Sequence, residues 1–340
     1  MPRNIGTCFA CLEKKELTLE HVLPQAIGGR LKVRIYCKEC NDTFGRQLDH
    51  EVSRCFSGFA TTLGIKRERG TTRPYEVEDV ETGTKLLSNG KSLKRKEPVV
   101  QLEVENNGKT LKSANIIARS EGELKKIITS LERKYTTKRK PKSFPEHHPG
   151  PTDTRYDFVF DTWMLRRSVA KIAYSFLCHK LPSTILLSTA FNEVRSYVIG
   201  GIGDDRSSAN FVDTSFMTDY VRPLHKVHIS LNRRQNLVIG YIMFFGTFRY
   251  TTLLSRSYIS RFDWPCLDHT IDPVTGNTIE GNPNFRAPLI DEQHILKPRQ
   301  SKQLVLEEIH KGHKILENYA EGYQHLKIEL ENREKGDVVN

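Results

Sequence analysis

The sequence predicts an α+β protein: a small N-terminal ββα module stapled by cysteines, followed by a larger mixed α+β region. Three observations carry that expectation. Two Cys-x-x-Cys pairs, Cys8/Cys11 and Cys37/Cys40, enclose a strand–loop–strand pattern that runs into helical spacing. Behind them, alternating segments with Gly-containing turn signals are interspersed with 3.6-residue apolar stripes. A long, highly charged helical tail completes the chain.

Within residues 1–60, Leu17-Thr18-Leu19-Glu20-His21 has the composition of a short strand. Pro24 and the Gly28-Gly29 pair make the next stretch a loop. Val33-Arg34-Ile35-Tyr36 alternates and reads as a second strand. Asn41 and Asp42 suit a helix N-terminus, and Phe44, Leu48, Val52, Cys55, Phe56 and Phe59 then follow at helical spacing.

Residues 61–150 form a basic α+β region. Turn signals at 81–83 and 106–108 predict hairpins, and Ser120 with Glu123 predicts a capped helix to about Lys134. Residues 138–151, with His147-His148, read as a linker. In residues 151–340, Asp161 is expected to cap a helix whose stripe is Leu165, Val169, Ile172, Ala173, Phe176 and Leu177. A second helix near Thr189–Val198 ends at Gly200-Gly201. Val227, Ile229 and Leu231 start a strand, a turn follows at 232–236, and 237–254 is expected to be a buried antiparallel pair with bulges at Gly240 and Gly246. Prolines 265, 273, 283, 288 and 298 predict irregular structure, and 301–332 a long charged helix.

At 340 residues the chain has room for two or three domains, and a hydrophobic share of 37% with 9% aromatics is compatible with globular folding. The net charge is +11, of which +9 lies in residues 61–142. Such a block is a candidate footprint for a polyanion, or else a solvated basic surface. Its clusters supply the candidate nucleic-acid contacts Lys66, Arg67, Arg69, Arg73, Lys94, Arg95 and Lys96. No apolar run approaches the roughly 18 residues of a membrane span, and the first residues lack the apolar core of a signal peptide, so a cytoplasmic setting is expected.

In a reducing compartment the seven cysteines read as four metal ligands plus three thiols, Cys55, Cys178 and Cys266. Cys8, Cys11, Cys37 and Cys40 have the spacing to surround one tetrahedral Zn²⁺. With four thiolates the site is closed, so the zinc is structural, and its binding energy can fold a segment too small to fold on its own core.

Glu20-His21 lies between the knuckles, and Asn41 directly follows the last cysteine. With these residues, Cys8 to about Asp49 resembles the HNH endonuclease family, in the zinc-bearing branch with Cys-x-x-Cys, Glu-His-x-x-Pro, Gly-Gly and Cys-x-x-Cys-Asn. The resemblance implies a phosphodiester hydrolase. His21, with an ordinary pKa of about 6.5, is the expected base. Glu20 and Asn41 are the expected ligands of a catalytic Mg²⁺ or Mn²⁺. Because neighbouring strand residues point to opposite faces, Glu20 and His21 need a twist or bulge to reach one site. The family's middle Asn falls at Lys32, which has no acceptor to orient the His; a carbonyl of the Gly28-Gly29 loop would have to do so. Asp49 could face the site or cap the module's surface, and of the two the surface is expected.

The implied partner is DNA, with RNA left open. A homodimer would present one site to each strand, and a monomer would nick. The resemblance also implies a role in defence against foreign DNA, alongside a partner protein, or in a mobile element. The other reading is a non-catalytic zinc-ribbon binding or scaffold protein, supported by Lys32. Residues 151–340 resemble no family named here.

Overall fold

In the computed structural model of this protein, residues 4–67, 74–90, 92–106, 108–137, 154–156, 160–217, 221–257, 266–280, 287 and 290–336 are described. They form an α+β architecture in two compact units, Met1–Thr72 with Phe158–Asn340, and Arg73–Asp157. The N-terminal module and the C-terminal region therefore share one body, into whose sequence the second unit is inserted.

The module is a three-stranded antiparallel sheet followed by helix. Strand β1 (Ile5–Thr7) pairs with β2 (Lys14–His21), and β2 with β3 (Lys32–Cys37). The β2–β3 register shifts between Thr18 and Leu19, because Ile35 is an extra residue on β3. The Ile35 carbonyl accepts from the Phe9 N–H at 3.0 Å, which ties the bulge to the first knuckle. Helix α1 (Lys38–Phe44) starts directly after Cys37, its N-cap, so it begins a turn earlier than Asn41 and Asp42 suggested. It continues through a π-helical stretch, Gly45–Asp49, into α2 (His50–Cys55) and, past a break at Phe56, α3 (Ser57–Thr62). The π turn rotates the helix face within one run of sequence, a shift invisible to a 3.6-residue count.

The inserted unit has two small sheets. Strands β4 (Tyr75–Asp79), β5 (Lys85–Ser88) and β6 (Leu93–Arg95) form a meander, and β7 (Val99–Val104) pairs with β8 (Thr110–Ile117) in the second sheet. Both hairpins fall at the expected turn signals. Helix α4 (Glu121–Lys134) is capped by Ser120 Oγ, which accepts from Glu123 N–H at 3.2 Å. Short strands β9 (Thr136–Thr137) and β10 (Thr154–Arg155) complete the second and the first sheet. His147-His148 lies outside the described residues.

Helix α5 (Trp163–Lys180) is the axis of the larger unit. Thr162 caps it through Leu165 N–H at 3.0 Å; Asp161, expected in that role, instead chelates the Arg166 guanidinium through both oxygens at 2.7 Å. Thirteen of its 18 residues are buried, so it is enclosed all round and not along one stripe. After α6 (Ser183–Leu186) and α7 (Asn192–Gly200, ended by Gly201 at φ 65°) comes a six-stranded antiparallel sheet. Its strands are β11 (Ser207–Ala209), β12 (His225–Asn232), β13 (Leu237–Phe244), β14 (Phe248–Ser255), β15 (Leu267–Ile271) and β16 (Thr278–Ile279), in the order β11-β14-β13-β12-β15-β16. Gly240 is not a bulge but a close approach: a Cβ there would lie 2.7 Å from the Ala173 Cβ of α5. The irregularity in β13 falls at Val238/Ile239. Gly246 sits with Phe245 and Thr247 in a three-residue turn, Gly246 at φ 72° and Phe245 at 54°. The left-handed Phe245 is strained, and its ring is held against Phe56, Phe59 and His225. Helix α8 (Glu292–Leu296) precedes the long α9 (Lys302–Gly336), whose Glu308, Ile315 and Leu316 are buried on the body.

Candidate functional site

The four cysteines converge as their spacing requires. Their Sγ atoms all lie within 4.8 Å of one another, and Cys11 and Cys37 are 3.9 Å apart. Ligands at ~2.3 Å around a tetrahedral Zn²⁺ are separated by about this much, so the residues fit the metal. The Cys37 N–H points at Cys8 Sγ at 3.3 Å. The Cys8 thiol is drawn down to about 4, first by the Cys40 thiol, while the Cys8 thiol holds Cys40 above its usual range and burial pushes Cys37 up to about 11, so one sulfur of the cluster takes the negative charge in place of the others. None of the seven cysteines is in a disulfide, and Cys55 and Cys178 are buried as small core residues.

The residues between the knuckles separate into an inner and an outer set. Glu20, across from Val33 on the inner face, is only 4% exposed. Its carboxylate accepts from the ammonium of Lys171 on α5, whose side chain is fully buried. Lys171 also donates to Asp49 Oδ1 at 3.0 Å and to the backbone carbonyl of His21 at 3.4 Å. Asp49, expected at the surface, is thus turned inward at the end of the π stretch. Burial pushes the Glu20 carboxyl up to about 7; Lys171 pulls it down and Asp49 pushes it further up. Burial works against the Lys171 charge, but Asp49 and Glu20 outweigh it and hold the ammonium above its usual range. The cause is common to both: two carboxylates share one cation in a dry site.

His21 ends β2 half-buried, with Lys32 as its exposed cross-strand partner. Asn41, in α1, donates through Nδ2 to Thr18 Oγ1 at 2.9 Å and to the Leu19 carbonyl at 3.0 Å. It thereby braces β2 beside the bulge. The Gly28-Gly29 loop is held from behind. His225 Nδ1 accepts from Phe245 N–H at 3.2 Å, which leaves Nε2–H to donate to the Ile27 carbonyl at 2.7 Å. A Cβ on Gly28 (φ 100°) would strike Pro273 at 2.5 Å.

A divalent cation at Glu20 and Asn41 does not fit this arrangement. The Glu20 carboxylate is committed to an ammonium in the interior, while Asn41 is braced on the strand at Leu19, which is exposed.

The candidate nucleic-acid contacts are divided between the two units. Lys66 is exposed and Arg67 half-buried in the larger one; Lys94 is exposed and Arg95 half-buried on β6 in the inserted one. Arg69 and Arg73 lie outside the described residues. Lys96 is paired with Glu76 at 2.5 Å, and the same carboxylate holds Lys85 at 3.1 Å. Lys112, Arg119 and Lys125 are paired as well.

Lys171 was not among the sequence candidates, and neither was His225. A signal for the first exists: Ser168, Lys171 and Ser175 recur at helical spacing among the apolar residues of Val169–Cys178 and just before them.

Residues 8–57 match the family model described as HNH endonuclease. No curated protein and no solved structure matches the chain. No helix among the described residues is long and apolar enough to cross a membrane.

Proposed function

We propose that this protein is an HNH-type endonuclease that hydrolyses phosphodiester bonds of DNA, with His21 as the general base. The observation that carries this reading is that the family match over residues 8–57 takes in both the converged sulfur cluster and His21, which ends β2. In-line attack on a phosphodiester needs a base within hydrogen-bond reach of the attacking water. A half-buried imidazole at a strand end, whose backbone carbonyl accepts from Lys171, supports that assignment. Asn41 holds the strand that carries it. Zn²⁺ at the four thiolates supplies folding energy and no chemistry. The exposed Lys66 and Lys94 would contact phosphates and position the substrate without reading its sequence.

One observation favours a second reading, a zinc-ribbon binding module without catalysis: Lys171 neutralises the carboxylate that the resemblance assigns to the metal. A supercoiled-plasmid assay separates the two. On the first reading the zinc-loaded protein nicks or linearises the plasmid, and His21→Ala lowers the rate by about 10²–10⁴-fold with zinc content unchanged. Equal cleavage by His21→Ala would remove His21 as the base, and no cleavage of DNA or RNA with Mg²⁺, Mn²⁺ or EDTA would favour the binding module.

A further inference from the structure

We infer that Lys171 is a built-in cation: its ammonium occupies the Glu20 carboxylate that the HNH resemblance gives to a divalent metal, with Asp49 as a second counter-ion. This deepens the reading of the same site, and rests on it for the part assigned to Glu20.

The geometry is that of a cation in an oxygen cage. An ammonium has three N–H donors. Those of Lys171 meet Glu20 Oε1, Asp49 Oδ1 and the His21 carbonyl, from a strand, a π-helical turn and a strand end. Two carboxylates and a backbone carbonyl are the hard oxygen donors that a divalent cation also takes. The lysine side chain is fully buried, and the helix under it is pinned at several points. Ser168 Oγ donates to the Leu48 carbonyl at 2.9 Å, Tyr174 Oη to the Phe9 carbonyl at 3.0 Å, and Ser175 Oγ lies 2.9 Å from Tyr36 Oη. These contacts fall on both sides of position 171, so the ammonium cannot leave without separating α5 from the module. A divalent ion beside it would face a like charge at close range in a medium of low dielectric.

The test is Mn²⁺ binding to the zinc-loaded full chain, read by loss of the free-ion electron paramagnetic resonance signal. Wild type should bind no Mn²⁺ that depends on Glu20. Lys171→Met should gain one site, with affinity raised on the order of a hundredfold or more, and Lys171→Met/Glu20→Gln should lose it again. One Mn²⁺ held by wild type and released by Glu20→Gln would overturn the assignment, as would a Lys171→Met protein that retains zinc and native circular dichroism yet gains no site. Should Lys171→Met not fold, the comparison of wild type with Glu20→Gln decides alone: Glu20-dependent binding overturns the assignment and its absence supports it. The Mn²⁺ count does not depend on cleavage, so a failed plasmid assay would overturn the endonuclease reading and leave this result standing.

Discussion

Tyr36 Oη and Ser175 Oγ meet at 2.9 Å in the interior although 139 positions separate them in the chain. One belongs to β3 and the other to α5, so the four-cysteine module and the C-terminal region are joined by a buried polar contact as well as by apolar packing. The contact is worth testing directly. Tyr36→Phe keeps the ring and leaves Ser175 without this partner, so it should cost about 0.5–1.5 kcal/mol. Urea unfolding of Tyr36→Phe, Ser175→Ala and the double variant would show a coupling of that size; additive effects would mean the bond contributes nothing.

Zinc should be required for the module. Cys37→Ser should drop bound zinc from one per chain to none by elemental analysis, and should lower the melting temperature. The sulfurs are held within 4.8 Å of one another, and without a metal these polar groups crowd with no compensating charge.

His225 should give the protein an acid-sensitive step. It is fully buried between Phe244 and Phe245, and burial draws it down to about 4, against a backbone contact with Ile27 and the charge of Asp272. The unfolded chain takes up this proton near pH 6.5, and the folded one only near 4. Stability from this group is therefore constant above about pH 6.5 and falls as the pH drops from 6.5 to 4, by roughly 3 kcal/mol in all. The difference in denaturation midpoint between wild type and His225→Gln, followed from pH 7.5 to 4.5, should shrink over that window.

The basic residues should not contribute equally to nucleic-acid binding. Lys94 is exposed on β6, whereas Lys96 is engaged by Glu76. Lys94→Ala should reduce the slope of log affinity against log salt by about one, and Lys96→Ala by less. Fluorescence anisotropy on a labelled duplex at several salt concentrations would measure both.

Much of the fold was legible in the sequence because its signals are local. The knuckles, strand alternation, hairpin turns and the Ser120 cap each depend on residues a few positions apart, and each appears where expected. Gly240 was misread because a strand glycine signals either a bulge or a close approach, and only the Ala173 side chain across from it decides. The site was half legible. Cys8, Cys11, Cys37 and Cys40 converge as their spacing foretells, and His21 ends its strand. What Glu20 faces could not be read locally, because its partner lies 151 positions away on a helix that looks like ordinary core. The inward turn of Asp49 depends on a π-helical stretch, which shifts the face without changing the residues.

The insertion of Arg73–Asp157 has a consequence for synthesis. A ribosome delivers the module first and the inserted unit second, and only then α5. Until Lys180 has emerged, β3 has only the module's own helix, which meets Tyr36 through Phe44, and Glu20 has no ammonium. The nascent module is thus an open, acidic half-core that must be kept from misassembling for the time taken to translate more than a hundred further residues. Zinc, which would need only the first 40 residues, would add to the module's own sheet contacts throughout that interval.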